Sequence, residues 1–389
     1  MRVTDVQELT VKLEGGISNA LVSFAEHTVS LVAVTTDVVR SGRPVVGYAF
    51  DSIGRFAQGG ILRDRMLPRL RAAPPADLLA KDGDCFDPAA VLATLMSNEK
   101  PGGHGDRAAA AGAVELAFWD LNAKLADEPA SVTIARDHGC PVPSGSTAVY
   151  AAGGYYYPPG SGRSLTDELR AYEDLGFDAF KMKIGGAPLL VDMARIEEAL
   201  KVANRGSRLA VDANGRFGLD DALAYAEAIA PLGLRWYEEA GDPLDFYLNQ
   251  EIAQRYDGPI ATGENLFSLA DTANLVRFGG MRPGKDVFQM DPGLAYGLTE
   301  YVRMLTLLER HGFDRAQCFP HGGHLINLHI AVGLGLGGCE AYPGVFQPFG
   351  GYPSGCALGG GTVRTTDAPG FGLEQKPELQ PFLAQITSR

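Results

Sequence analysis

The second half of this 389-residue chain repeats one unit, and that repeat constrains the fold more than any other feature. From residue 149 onward, short apolar runs recur, and each is followed by a stretch with helical periodicity. From the second run on, the starts lie 22 to 30 residues apart. Strands that alternate with helices at this spacing are typical of a (β/α)8-type barrel, with a doubly wound sheet as the alternative. The runs span residues 149–157, 179–184, 208–213, 234–239, 259–264, 286–291, 316–321 and 338–342.

The first 145 residues follow a different pattern. Apolar runs at 30–34 and 44–48 indicate a small antiparallel sheet, and the Ala-rich stretch 108–121 predicts a helix that is buried nearly all round. We therefore predict an α/β protein in three parts. Residues 1–145 form an N-terminal α+β capping domain, residues 146–345 form a catalytic (β/α)7β TIM-like barrel, and residues 346–389 pack back on the capping domain.

Composition excludes several classes of protein. The formal net charge of -13 argues against nucleic acid as a partner, because phosphate binding needs a basic surface. No stretch approaches 18 uninterrupted apolar residues, and the N-terminus lacks the apolar region of a signal peptide. We expect a cytoplasmic protein with a small-molecule substrate, no membrane partner, and assembly into a homo-oligomer.

Three carboxylates end three consecutive runs at one spacing. Asp212, Glu238 and Glu264 are 26 residues apart twice over. Taken singly, each carboxylate is more simply interpreted as a solvated surface residue. In a barrel, however, they would converge at the C-terminal mouth, where barrel enzymes keep their chemistry. Because like charges at a buried mouth need a neutralising cation, the set predicts one Mg²⁺ per site.

Candidate acid/base groups lie at other strand ends. Lys181 and Lys183 are two residues apart, so one strand directs both amines to the same face. Asp291 and His321 end neighbouring runs, and a carboxylate there could fix the tautomer of the imidazole and raise its pKa. Each pattern also has a simpler interpretation, since Lys-x-Lys is typical of an exposed edge strand and a histidine at a strand end is more often structural.

Taken together, these positions resemble the mandelate racemase-like branch of the enolase superfamily, over nearly the whole chain. The residues that carry the resemblance are Lys181, Lys183, Asp212, Asn214, Glu238, Glu239, Gly263, Glu264, Asn265, Asp291 and His321. The resemblance implies that Asp212, Glu238 and Glu264 bind Mg²⁺. It implies that Lys183 is one acid/base group, that His321 with Asp291 is the other, and that Lys181 adds positive charge. It also implies substrate contacts from Asn19, Lys100, Asn214 and Glu340, with Lys100 on the distal carboxylate of a diacid.

Within that branch, four segments look most like the D-tartrate dehydratases, namely 98–105, 155–158, 181–188 and 319–324. The implied activity is that of a hydro-lyase, in which α-proton abstraction and loss of the β-hydroxyl convert D-tartrate through an enediolate to oxaloacetate. Ser18 and Ile53 stand where tartrate-type loops are more polar. Dehydration of another acid sugar, and racemisation or epimerisation of a 2-hydroxy acid, are therefore the alternatives.

Chemistry sets two further expectations. Lys183 must be neutral to act as a base, and we expect Lys181 and the metal to lower its pKa. His321, as an imidazolium held by Asp291, would protonate the departing hydroxyl.

A zinc hydrolase barrel would need histidine ligands on the first strand, and residues 149–157 contain none. A barrel kept only as a binding protein is disfavoured, because no member of the acid/base and metal set is missing.

Overall fold

The computed structural model describes residues 1–157, 160, 162 and 164–388. Pro158, which belongs to the tartrate-type segment 155–158, lies outside the described residues. The chain folds into a β-rich N-terminal domain and a C-terminal barrel-like domain, so the predicted α/β class and two-domain order are confirmed. The boundaries at 145 and 345 stay predictions. No helix in the described part of the chain is both long enough and apolar enough to span a bilayer.

The N-terminal domain is built on three antiparallel strands, with β2 in the centre. They are β1 (Val3–Lys12), β2 (Thr28–Arg40) and β3 (Arg43–Phe50). The first residues of β2 are buried on both faces, because helices cover the sheet. Short helical segments follow the sheet, namely α1 (Gly59–Ile61), a π-helical turn (Leu62–Met66), α2 (Leu67–Ala72) and α3 (Pro88–Leu95).

The longest helix of the described chain, α4 (Asp106–Ala126), confirms the predicted buried helix. Its residues are buried without interruption from Ala108 to Ala123. It packs tightly on β3, where a Cβ atom at Gly47 would stand 2.2 Å from the carbonyl oxygen of Ala117. A side chain at position 47 would therefore force the helix off the sheet. Helix α5 (Ala130–Asp137) follows.

The C-terminal domain alternates short parallel strands with helices. The strands are β4 (Ser146–Gly153), β5 (Phe180–Lys183), β6 (Leu209–Asp212), β7 (Tyr237–Glu238), β8 (Ile260–Thr262), β9 (Val287–Phe288) and β10 (Cys339–Ala341). The helices are α6 (Leu165–Asp174), α7 (Leu189–Ala203), α8 (Leu219–Ile229), α9 (Phe246–Arg255), α10 (Leu269–Phe278), α11 (Leu298–Arg310) and α12 (Leu325–Leu334). Strands β4 to β9 pair in sequence order, and β10 pairs with β4 on the side opposite β5.

The seventh predicted strand, 316–321, is wrong as a regular strand. A 3-10 turn (Arg315–Gln317) begins the segment, and a single bridge joins Phe288 to Cys318. The N–H of Phe319 still donates to the carbonyl of Phe288 at 2.8 Å, and the N–H of Glu340 donates to the carbonyl of Pro320 at 3.2 Å. Because Pro320 has no N–H, it cannot continue a ladder. The domain is therefore barrel-like, and the closed (β/α)7β barrel stays a prediction.

The C-terminal segment contacts both domains. Strands β11 (Leu358–Gly359) and β12 (Thr362–Arg364) form a hairpin that pairs antiparallel with β4. On the N-terminal side, the N–H of Phe371 donates to Oδ1 of Asp120 in α4 at 2.6 Å, and Glu374 forms an ion pair with Lys124. Helix α13 (Gln380–Thr387) ends the segment.

Candidate active site

A cavity of about 440 Å³ lies between the N-terminal domain and the carboxyl ends of the parallel strands. The N-terminal domain contributes Asn19, Ile53 and Arg55, among others. The barrel-like domain contributes side chains that include Lys183, Asn214, Glu239, Glu264, Asn265 and His321. A cavity of this size, enclosed from two domains and lined by charged groups, is typical of a site for a small polar ligand.

Sheet register brings the predicted metal ligands together. Lys183 pairs with Asp212 across β5 and β6, and Asp212 pairs with Glu238 across β6 and β7. One carboxylate oxygen each from Asp212, Glu238 and Glu264 lie within 4.8 Å of one another. Asp212 and Glu238 are buried, whereas Glu264 borders the cavity. Three carboxylates in this arrangement fit a hard divalent cation such as Mg²⁺, with one side left for a ligand.

The electrostatics of the carboxylates fit the same cation. Burial raises the pKa of Glu238 to about 8, and the neighbouring Asp212 adds to the rise. Burial also acts on Asp212, but Lys183 and Lys181 outweigh it and lower its pKa to about 2. The Trp236 indole N–H donates to Oε2 of Glu238 at 2.7 Å and fixes that carboxylate. A cation at the cluster would offset the repulsion that raises the pKa of Glu238.

Both lysines of β5 point into this cluster, as the period of two predicts. The Nζ atom of Lys181 lies 2.5 Å from Oε1 of Glu238 and 2.7 Å from Oε1 of Glu340. The Nζ atom of Lys183 lies 2.5 Å from Oδ2 of Asp212. Lys181 is thus buried among carboxylates, whereas Lys183 also borders the cavity.

Opposing effects set the pKa of Lys183. Burial lowers the pKa of its amine, but Asp212, Glu264 and Glu238 together outweigh burial, and the net pKa lies above the ordinary 10.5. Lys181 lowers the pKa of Lys183 as expected, yet its effect is smaller than that of Asp212. The lowering expected from Lys181 and a bound metal together stays a prediction, because here the charge of Asp212 acts on the lysines alone. A cation bound to Asp212 would compete for that charge.

The predicted histidine–aspartate pair forms. Nδ1 of His321 lies 3.2 Å from Oδ2 of Asp291, and Asn327 donates to Oδ1 of Asp291 at 2.9 Å. Burial lowers the pKa of His321, but Glu264 and Asp291 outweigh burial and raise it to about 9. This rise in pKa favours the charged imidazole at neutral pH, with its Nδ1–H directed to Asp291. This direction of the shift is the one that the sequence predicted.

The chain around His321 is tightly constrained. Gly322 has a φ of 113°, and a Cβ there would lie 2.5 Å from Oγ of Ser52 and 2.8 Å from Oδ2 of Asp291. No other residue type fits without displacing the dyad. His324 begins α12 as its N-cap, with Nδ1 accepting from the N–H of Asn327. His324 therefore has the capping role that is the simpler interpretation of its position.

The predicted substrate contacts divide into two groups. Asn19 and Asn214 line the cavity, and Oδ1 of Asn214 is buried with no hydrogen-bond partner among the described residues. Glu340 is buried against Lys181 behind the cavity wall. Lys100 is exposed and outside the cavity, so the structure does not bring it to a bound acid. Arg107 fixes the loop that carries Lys100 by donating to its carbonyl at 2.9 Å.

Sequence reasoning missed several residues of the site. Tyr342 borders the cavity, and its hydroxyl lies 2.9 Å from Nε2 of His321. It ends the last predicted strand, so its position at a strand end was the available signal. Arg55 and Phe267 also line the cavity. Nothing local in the sequence marks them, because their contacts join segments about 210 residues apart.

The carboxyl ends of the barrel-like strands belong to a region that matches a known family. Residues 164–379 match the family described as enolase C-terminal domain-like. The chain belongs to the enolase superfamily. This superfamily assignment covers more than half of the chain and includes the candidate metal ligands and both candidate acid/base groups, so the predicted family is confirmed.

Relatives of this superfamily member include enzymes with different reactions. It is 26% identical over 225 residues to arabinonate dehydratase of Saccharolobus solfataricus, with 57% of each chain covered. It is 30% identical over 285 residues to 3,6-anhydro-alpha-L-galactonate cycloisomerase of Streptomyces coelicolor, with 70% of each covered. The L-talarate dehydratase from Polaromonas sp. JS666, solved with Mg and L-glucarate, has a TM-score of 0.73 at 22% identity and covers 95% of this chain and 94% of that chain. This last similarity shows the superfamily fold.

Proposed function

We propose that this chain is a Mg²⁺-dependent hydro-lyase that dehydrates a hydroxy acid to a 2-keto acid. The observation that carries the proposal is the placement of Lys183 and His321 on one cavity beside the three-carboxylate cluster. One reaction then has a base for the α-proton and an acid for the leaving hydroxyl in the same enclosed space. A relative named as a dehydratase supports this class of reaction.

In the proposed mechanism, Asp212, Glu238 and Glu264 would hold Mg²⁺, which would supply the positive charge that makes the C–H next to a carboxylate more acidic. Lys183 lines the cavity, so it first releases one proton to solvent, and the neutral Nζ then takes the α-proton. Lys181, between Glu238 and Glu340, keeps both carboxylates in position and adds a positive charge beneath the reacting carboxylate. Oδ1 of Asn214, which has no hydrogen-bond partner among the described residues, accepts a hydrogen bond from a substrate hydroxyl.

His321 completes the dehydration as the acid. The carboxylate of Asp291, 3.2 Å from Nδ1, favours the charged form of the ring. Nε2 is the ring nitrogen that faces the cavity, since Nδ1 is engaged with Asp291. Transfer of the Nε2 proton to the β-hydroxyl releases water and leaves an enol, which tautomerises to the 2-keto acid.

For the substrate, we propose a hydroxy-dicarboxylic acid, with conversion of D-tartrate to oxaloacetate as the first candidate because four segments resemble that enzyme type. Ile53 is 1% exposed and lines the cavity, which favours an acid with an apolar or small group at that point. Other acid sugars are therefore the second candidate. A racemase would use the same two groups but return the proton to carbon.

The test is a screen of hydroxy-diacids and sugar acids with a keto-acid readout, with and without Mg²⁺. We expect at least one acid to give keto acid only when Mg²⁺ is present. If D-tartrate is turned over with a kcat/KM on the order of 10⁴ M⁻¹s⁻¹ or better, it is a true substrate and Ile53 does not exclude it. Exchange of the α-proton without any keto acid would point to racemisation instead.

A further inference from the structure

One cation of the cavity has no anionic partner within the described part of the chain. Lys183 contacts Asp212, and His321 contacts Asp291. The guanidinium of Arg55 donates from Nη2 to Oδ1 of Asn265 at 2.7 Å and lies 4.8 Å from the ring centre of Phe267. Among the described residues, neither of these two partners carries a charge. Arg55 is therefore a fixed cation whose charge is left for a ligand.

Arg55 also stands at the boundary between two cavities. Arg55 and Phe267 line both the central cavity and an adjoining one of about 460 Å³. The adjoining cavity is lined by Arg65 and Arg107, which share the single carboxylate of Glu99 with Arg69. Asp106 is the other carboxylate on this side, so the four guanidiniums, including Arg55, still outnumber the carboxylates, in a chain whose net charge is -13. Anions would be drawn to the cavity from this side.

The opposite side of the central cavity is unsuited to a second anion. Glu239, Asp242 and Glu264 bring three carboxylates to its barrel side, and the rest of the lining includes apolar side chains such as Leu21 and Phe346. A ligand carboxylate placed against either surface would be repelled or left without a partner. A ligand with two carboxylates needs a cation at each end, and Arg55 is the cation not already committed at the metal end.

We propose that Arg55 binds the distal carboxylate of the substrate and so selects dicarboxylic over monocarboxylic hydroxy acids. This inference rests on the proposed function, whose site it deepens, and it replaces Lys100 in the role that the sequence suggested. Arg55 is a specificity-determining residue. Its planar donor pair suits a carboxylate, and the bond to Asn265 holds it in place before the ligand arrives.

A purely structural role has a different signature. Asn265 also donates to Oε1 of Glu239 at 3.0 Å, so loss of Arg55 could disturb the barrel side of the cavity through Asn265. That disturbance would weaken all acids by the same factor, because every substrate presents the same reacting end. Loss of a contact to the distal carboxylate would weaken only the diacids. The ratio of affinities for a matched diacid and monoacid therefore separates the two roles.

The experiment measures equilibrium binding by calorimetry in Mg²⁺, on a Lys183→Ala background so that bound acid is not consumed. Two pairs of acids are compared, galactarate with galactonate and D-tartrate with the four-carbon aldonate that has CH2OH in place of its distal carboxylate. We expect Arg55→Met to weaken diacid binding by about 10- to 100-fold and to reduce the diacid-to-monoacid ratio by a similar factor. Arg55→Lys should retain part of the preference. Arg71→Met is the matched control, because Arg71 lines neither cavity and donates to the carbonyl of Val6, and it should keep the ratio.

Equal weakening of both members of a pair in Arg55→Met, or no preference for diacids before the substitution, would overturn the proposal. Failure of every diacid to bind would overturn it as well. These results are distinct from failure of the proposed function. A changed ratio without any keto acid from the parent enzyme would support the role of Arg55 and refute dehydration. Keto-acid formation by the parent enzyme with an unchanged ratio in Arg55→Met would support dehydration and refute the role of Arg55.

Discussion

The hydroxyl of Tyr342 lies 2.9 Å from Nε2 of His321, and the carboxylate of Asp291 lies 3.2 Å from Nδ1 of the same ring. Both nitrogens of the proposed acid are therefore engaged by neighbouring side chains. Asp291 fixes the ring and its charge, and Tyr342 positions the proton that faces the cavity. The contact to Tyr342 therefore predicts an effect on loss of the substrate hydroxyl that can be separated from any effect on exchange of the α-proton.

Tyr342→Phe should lower the rate of keto-acid formation roughly 10-fold, the scale of one hydrogen bond, because Nε2 loses the group that orients its proton. Exchange of the α-proton should be affected less, since Lys183 is unchanged. Tyr301→Phe is the matched control, because the Tyr301 hydroxyl is buried with no hydrogen-bond partner among the described residues. If both reactions fall equally in Tyr342→Phe, the hydroxyl serves binding and not proton transfer.

The two acid/base groups should fail in different ways. Lys183→Ala should lose both α-proton exchange and product formation, each by roughly 10²-fold or more. His321→Asn should lose water elimination while Lys183 still exchanges the α-proton, provided that the enediolate lives long enough. NMR of the substrate in D2O reports both events in one sample. Exchange that survives in Lys183→Ala but vanishes in His321→Asn would make His321 the base.

The three-carboxylate cluster predicts a specific loss of metal. Glu238→Gln should weaken Mg²⁺ binding and abolish activity with the fold intact, because an amide oxygen replaces a charged ligand. Glu239→Gln is the comparison, since Glu239 contacts Asn265 and is not part of the cluster, and it should still bind Mg²⁺. Calorimetric Mg²⁺ titration and circular dichroism check both variants. Full activity in Glu238→Gln, or activity indifferent to a chelator, contradicts the assignment.

A contact between the domains predicts how stability changes with pH. Glu115 in α4 accepts from the N–H groups of Leu298 and Thr299, each at 2.9 Å, at the start of α11. Burial raises the pKa of Glu115 from 4.5 to about 7. The folded state then holds this proton where the unfolded chain has lost it. The contribution of Glu115 to the free energy of unfolding is therefore greatest below pH 4.5 and declines as the pH rises towards 7.

Glu115→Gln removes this titration and leaves an amide facing backbone donors. We expect the variant to be less stable by about 1–3 kcal/mol at acidic pH, with a smaller decline in stability than the parent between pH 5 and 7. Urea unfolding at several pH values measures both quantities. Parallel pH curves for the two proteins would show that Glu115 does not titrate in this range.

The parts of the site that sequence could predict are those set by period and spacing. Equal spacing of Asp212, Glu238 and Glu264 placed them at equivalent strand ends, and sheet register then brought them together. The run 316–321 was wrongly predicted as a regular strand because the prediction rested on the apolar run and the spacing, whereas Pro320 inside the run lacks the N–H that a ladder needs. The sequence could not decide whether Lys100 or Arg55 contacts the distal carboxylate, because it does not show which loop cation faces a cavity formed by two domains.

We infer that this cavity removes an α-proton and then expels water in a reaction that requires Mg²⁺. The most direct measurement is a ¹H NMR time course of the acid panel in D2O, with Mg²⁺ or with a chelator. We predict that, for at least one hydroxy-dicarboxylic acid, the substrate α-proton signal disappears and a 2-keto acid deuterated at C3 accumulates only when Mg²⁺ is present. Keto-acid formation that continues in the chelator, or a panel in which no acid loses its α-proton, would contradict the claim.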